Sequence, residues 1–217
     1  MEYFVNPVNR GFFCNDNSIY FPYKQEIINS TLLAFIIFVM IVVIVSFSYS
    51  NCLHVAKIAN ISVHCLFAIF INLYICQLTK LSVGRLRPHF LAVCRPNIDL
   101  EACANTLKYI ETYNCTGPYN VVRQARLSFF SGHASIAMTA LYLQARFPRH
   151  LYGLGSLPLI QMFVLSIALF VGFTRIRDNS HHPSDVLAGY IFGTIVSIIA
   201  VFLFLPPMFS CGSYLIN

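Results

Sequence analysis

The chain has 217 residues, of which 57% are hydrophobic and only 10% charged, and its mean hydropathy is +0.67. A soluble globular protein carries about 25% charged residues, so this composition excludes the soluble class and points to a membrane. The formal net charge of +6 comes from 14 Lys and Arg that form no long run, which argues against a nucleic-acid partner, and the 8 cysteines include no Cys-x-x-Cys pair of the kind that holds structural zinc.

In chain order, residues 1–30 are polar and aromatic with scattered charges, lack the basic start and apolar core of a signal peptide, and read as extramembrane. Residues 31–49 carry no charge and have the length of about 20 residues that a bilayer-spanning helix needs. A second apolar run, 61–79, is relieved by His64, Asn72 and Gln77, which at membrane depth are expected to face other helices. From Lys80 to about Leu127 the chain turns polar and holds Pro88, Pro96, Pro118, three cysteines and half of the 14 Lys and Arg, a loop longer than a plain connection requires. The third run, 129–145, is the weakest, with Ser131, His133, Ser135 and Thr139 at its beginning; 157–173 and 186–205 complete a set of about five spans. The expected architecture is an all-α integral membrane helical bundle, one membrane-embedded domain over residues 1–217.

Five spans put the N-terminal segment, the 80–127 loop and the 174–185 loop on one face of the membrane. On that face Asn114 in Asn-Cys-Thr is the better glycan acceptor, ahead of Asn29 in Asn-Ser-Thr. Cys103 and Cys115 share the long loop and are expected to bridge if that face is oxidising.

Three chemistry-bearing clusters fall on the same face: Lys80 with Arg85 and Arg87; Ser131-Gly132-His133; and Arg175 with His181 and Asp185. If a helix starts near Pro183, His181 and Asp185 are four apart and the carboxylate can hold one imidazole nitrogen. Lys and Arg side chains with the N–H groups of a helix N-terminus suit a phosphate in charge and in oxygen geometry. Two histidines supply a neutral nucleophile and a protonated acid for phosphoryl transfer. No acidic cluster suited to magnesium is visible among the 8 Asp and Glu.

Lys80 with Arg87-Pro88, Ser131-Gly132-His133, and Thr174-Arg175 followed by His181 and Asp185 resemble, in order and spacing, the three signature motifs of the lipid phosphate phosphatases, the type 2 phosphatidic acid phosphatases. Lys-Leu-Ser-Val-Gly-Arg-Leu-Arg-Pro-His-Phe-Leu from Lys80, Arg-Leu-Ser-Phe-Phe-Ser-Gly-His from Arg126 and Arg-Gly-Phe-Phe-Cys-Asn-Asp from Arg10 look like the animal members, so the resemblance covers nearly the whole chain.

The resemblance implies that Lys80, Arg87 and Arg175 bind the phosphate, assisted by Ser131 and the Gly132 N–H. It also implies that His181 is the nucleophile forming a phosphohistidine, Asp185 its orienting partner, and His133 the acid for the departing lipid alkoxide. It further implies no metal or cofactor, lipid phosphate substrates (phosphatidate, lysophosphatidate, sphingosine 1-phosphate, ceramide 1-phosphate), homo-oligomerisation, and an active site on the extracellular or luminal face of the plasma membrane or an endomembrane. His182, Arg85, Arg177 and His89 lie outside the motifs and are expected to act electrostatically at most. The family has six spans and the Arg10 segment resembles the loop after the first, so one N-terminal helix is expected to be missing here. The alternative readings are a catalytically silent lipid-binding or scaffolding relative, and a channel or transporter in which the same polar residues line a through-path.

Overall fold

A computed structural model of the protein describes residues 7–50, 55–100, 107–139 and 156–204. Within these, seven α-helices carry nearly all the regular structure: α1 (Ser30–Ser50), α2 (Val55–Val83), α3 (Phe90–Cys94), α4 (Tyr119–Gln124), α5 (Gly132–Thr139), α6 (Ser156–Arg177) and α7 (Pro183–Phe204). Val63–Val83 and Pro183–Ala200 are long and apolar enough to cross a bilayer by length and composition. The protein is a membrane helical bundle.

The long helices begin or end beyond the apolar runs that mark them. The run at 61–79 sits inside α2, which already starts at Val55. The run at 157–173 continues to Arg177, making Arg175 and Arg177 the last turn of α6 rather than loop residues. Cationic side chains are favoured there by the carbonyl end of the helix. Of the 129–145 run, Gly132–Thr139 is described as helix and 140–145 lies outside the described residues.

The polar start of the 129–145 run is explained by where α5 sits. It is packed between α2, α6 and α7, and Ser131, Ser135 and Thr139 are fully buried. Ser135 donates to the Asn72 side-chain oxygen at 2.9 Å and Asn72 donates to the Thr139 hydroxyl at 2.6 Å, so the Asn72 amide of α2 is satisfied by α5 inside the bundle. On α7, a Cβ at Gly189 or Gly193 would collide with the backbone oxygen of Ser131 or Ser135, respectively. Glycine at these two positions lets the helix backbones meet as closely as they do.

The 80–127 segment is not a plain loop. β1 (Phe12–Phe13) pairs antiparallel with β2 (Tyr109–Ile110), and Phe12, Ile19, Leu86, Phe90, Leu91, Cys94, Val122 and Ala125 form a hydrophobic core separate from the bundle. Arg126 covers this core, its guanidinium 5.3 Å from the Phe90 ring centre and 5.2 Å from that of Tyr113. Asn114 is exposed on this segment.

The expected Cys103–Cys115 bridge is corrected: Cys115 pairs with Cys94. The chain leaves α3 through Arg95 in the left-handed conformation (φ 47), and Pro96 bridges to Cys115, which brings the Cys94 and Cys115 Cα atoms to 4.7 Å. Cys103 lies outside the described residues, and Cys14 is also disulfide-bonded. The Cys94–Cys115 separation of 21 residues corresponds to a stabilisation of about 3 kcal/mol. Cys115→Ser is therefore expected to lower the melting temperature of the purified protein by about 10 °C. An unchanged melting temperature would show that this segment is held without the bridge.

Residues 20–29 strap the N-terminal segment across the same end of the bundle. The Phe21 N–H donates to the Pro88 carbonyl at 3.0 Å, the Asn179 side chain to the Pro22 carbonyl at 3.0 Å, and the Ile27 N–H to the Asp178 carboxylate at 2.9 Å. The three clusters singled out in the sequence therefore meet at one end of the fold, under this strap.

Candidate active site

Each cluster is delivered by the end of a helix. Lys80 lies in the last turn of α2, and Gly132-His133 open α5. Arg175 closes α6, and Pro183 opens α7 as its rigid φ favours, placing Asp185 in the first turn. Arg87 follows α2 on a segment fixed by the 2.8 Å hydrogen bond from its N–H to the Ala125 carbonyl.

Lys80, Arg87, Gly132, His133 and His181 line one cavity of about 890 Å³. A Cβ at Gly132 would lie 3.1 Å from the Cys76 sulfur, a tight contact that Cys76 would have to yield to by a few tenths of an ångström. Ser131, Arg175 and Asp185 are buried and do not line the cavity. The expected phosphate-binding set is thus divided into groups that face the space and groups that stand behind it.

Asp185 is the hub of the buried layer. Its carboxylate accepts from the Ser128 hydroxyl at 2.6 Å and from the His182 N–H at 3.1 Å, and is ion-paired with Arg85. Its backbone carbonyl accepts from the Ser131 N–H at 3.0 Å, tying α7 to the start of α5. The His181 Nδ1 lies 3.9 Å from Asp185 and has no hydrogen-bond partner, although it is buried. The two residues are brought together as their spacing predicts, but at ion-pair rather than hydrogen-bond distance.

Arg175 is clamped by two carboxylates, Asp178 at 3.0 Å and Glu26 at 3.4 Å, while its Nε is buried without a partner. Its carbonyl accepts from the Ser180 and His181 N–H groups at 3.0 and 3.2 Å, so the same residue fixes the backbone that carries His181. The Asn29 carbonyl hydrogen-bonds the His133 ring, and the Ser128 carbonyl that of His181.

Residues 62–206 match the PAP2 superfamily. The chain belongs to the PAP2 superfamily. It is similar to "Phospholipid phosphatase 1" of Rattus norvegicus, with 39% identity over 214 residues that cover 90% of this chain and 75% of that protein. It is also similar to "Phospholipid phosphatase 2" of Rattus norvegicus, with 38% identity over 213 residues covering 90% and 76%. No solved structure matches at a significant level.

Within this PAP2 chain the electrostatics favour an uncharged His181. Its pKa is held well below the ordinary value of 6.5 by burial and then by the Arg87 and Lys80 charges, with the Ser128 carbonyl opposing. The folded protein thus refuses a proton that the unfolded chain accepts. Stability from this group is retained above pH 6.5 and is lost as the pH falls below it. Thermal melts from pH 7.5 to 5 are expected to show a falling melting temperature that His181→Gln reduces. An identical slope in the variant would assign the acid sensitivity elsewhere.

Four residues with roles here were missed or undervalued in the sequence. Arg85 contacts Asp185 and the Ser184 hydroxyl directly. Ser128 donates its hydroxyl to the Asp185 carboxylate, and Asp178 and Glu26 are the counter-charges of Arg175. The i,i+3 spacing of Arg175 and Asp178 at a helix end was the available signal. Glu26 carried none, because its partner is far away in the chain. His182 and His89 serve the framework, bonding the Leu86 carbonyl at 3.0 Å and the Asn179 carbonyl at 2.8 Å.

Proposed function

We propose that this PAP2 protein is a lipid phosphate phosphatase that hydrolyses phosphatidate, lysophosphatidate, sphingosine 1-phosphate or ceramide 1-phosphate to the lipid alcohol and phosphate, without a divalent cation. The observation that carries the reading is the mixed lining of the cavity. It is lined both by the polar Lys80, Arg87, His133 and His181 and by the apolar Leu33, Ile37 and Phe38 of α1 and Leu66, Ile69 and Leu73 of α2. A headgroup phosphate suits the first set and hydrocarbon the second.

In this reading Lys80, Arg87 and the Gly132 N–H meet the phosphate oxygens, and Arg175 and Ser131 support that cradle from behind. The neutral His181 imidazole attacks phosphorus and the bond to the lipid oxygen breaks. Burial and the Arg175, Lys80 and Arg87 charges push the His133 pKa down to about 3; the bound phosphate offsets those charges, so His133 takes up a proton with the substrate and gives it to the departing alkoxide. The phosphohistidine carries positive charge on its ring, and the Asp185 carboxylate stabilises that charge. Water, deprotonated by His133, then attacks the phosphorus, releasing phosphate and restoring both histidines. In this reading the reaction takes place at the strap end of the bundle, on the extracellular or luminal face, in a homo-oligomer.

The reading is tested by phosphate release from phosphatidate in detergent micelles containing EDTA. Sustained release is expected, because Lys and Arg side chains meet the phosphate charge. Release only after magnesium is restored would contradict the cation-independent mechanism, and none under either condition would favour the silent lipid-binding relative.

A further inference from the structure

Among the described residues, Glu26 is the only acidic side chain lining the cavity. A carboxylate facing a phosphate site opposes its ligand by like-charge repulsion. Glu26 is not needed to neutralise Arg175, which already has the shorter contact with the buried Asp178, 3.0 Å against 3.4 Å. Its side chain is one-third exposed, and only Oε2 faces Arg175. The carboxylate therefore has acceptor capacity left to offer the cavity.

The position of Glu26 identifies the part of the substrate it meets. Three residues later the Asn29 carbonyl hydrogen-bonds His133, the proposed acid for the leaving lipid oxygen, so the strap lies on the leaving-group side of the phosphate. In chain order the lining residues from Glu26 into α1 are Glu26, Ser30, Leu33, Ala34, Ile37 and Phe38: a carboxylate, a hydroxyl, then hydrocarbon. That order reproduces a lipid whose phosphate is followed by a cation, a hydroxyl and a chain. A diacyl glycerol phosphate has ester groups in place of the cation and hydroxyl.

We propose that Glu26 is a specificity-determining residue that reads an ammonium group on the carbon next to the phosphate-ester carbon, and so favours amine-bearing lipid monophosphates over neutral isosteres. The proposal rests on the phosphatase reading above. The ammonium takes the free Glu26 oxygen and cancels the repulsion that a neutral-headed lipid phosphate leaves in place. A charge-assisted hydrogen bond of this kind, partly exposed, corresponds to about a tenfold preference.

The test compares a long-chain 2-aminoalkyl phosphate with its 2-hydroxyalkyl isostere in mixed micelles, first on the unaltered full chain and then on Glu26→Gln. The unaltered protein is expected to show kcat/KM about tenfold higher for the amine, and Glu26→Gln to bring the ratio close to one. Equal kcat/KM for the two lipids on the unaltered protein would overturn the proposal, and this comparison stands without any variant. So would a fall by the same factor on both substrates in Glu26→Gln, which would leave Glu26 only as a support for Arg175. Absence of hydrolysis of either lipid would remove the phosphatase reading itself, and this proposal with it.

Discussion

His181→Ala is expected to reduce phosphate release by about four orders of magnitude or more, the scale on which removal of a nucleophile acts. Nothing else in the described site can substitute for it. His133, the other imidazole lining the cavity, is held by the Asn29 carbonyl on the strap side and retains its acid role only when something else attacks. The effect on folding is expected to be small and opposite in sign at acid pH. The imidazole is buried with an unsatisfied Nδ1, so its removal costs packing but relieves a polar group that burial disfavours. Phosphate release in micelles, measured beside the melting temperature, separates the two. Substantial residual turnover by a folded His181→Ala protein would assign the nucleophile elsewhere.

Asp185→Ala is expected to damage structure as well as chemistry. Asp185 is fully buried, and its carboxylate receives the Ser128 hydroxyl, the His182 N–H and the Arg85 guanidinium. Alanine leaves these donors without their acceptor, a loss of about 3 kcal/mol, at the lower end for a broken buried pair because Arg85 can rehydrate. The melting temperature should fall by about 10 °C. Asp185→Asn retains an oxygen that can accept from Ser128 and removes only the charge, so it should recover much of the stability. Activity should stay low, since the charge on the phosphohistidine ring is no longer balanced. If Asp185→Asn were as active as the unaltered chain, the 3.9 Å approach of Asp185 to His181 would have no part in the reaction.

The helical, membrane-embedded class and the membership of Lys80, Arg87, His133 and His181 in one site were legible because they depend on local signals. Uncharged runs of helix-spanning length mark the bundle, and motif residues at helix ends mark the site. Pro183 and the His181-to-Asp185 spacing led directly to the first turn of α7. What could not be read is what long-range packing decides. Cys94 rather than Cys103 pairs with Cys115 because α3 and the Arg95 turn present it, and neither is evident from spacing. The 80–127 segment forms a second core only with Phe12 and Ile19, brought from the far N-terminus. The pairing of Glu26 with Arg175 spans roughly two thirds of the chain, so no short window of sequence contains both.

The central claim is phosphoryl transfer to His181, and trapping the intermediate tests it most directly. The protein is mixed with a lipid phosphate carrying a radioactive phosphoryl group, quenched in alkali within the turnover time, digested, and the labelled peptide sequenced by mass spectrometry. The expected result is an alkali-stable, acid-labile phosphate on His181, lost in His181→Ala. Label on His133 instead, or turnover by rapid quench with no labelled histidine at any time, would contradict it.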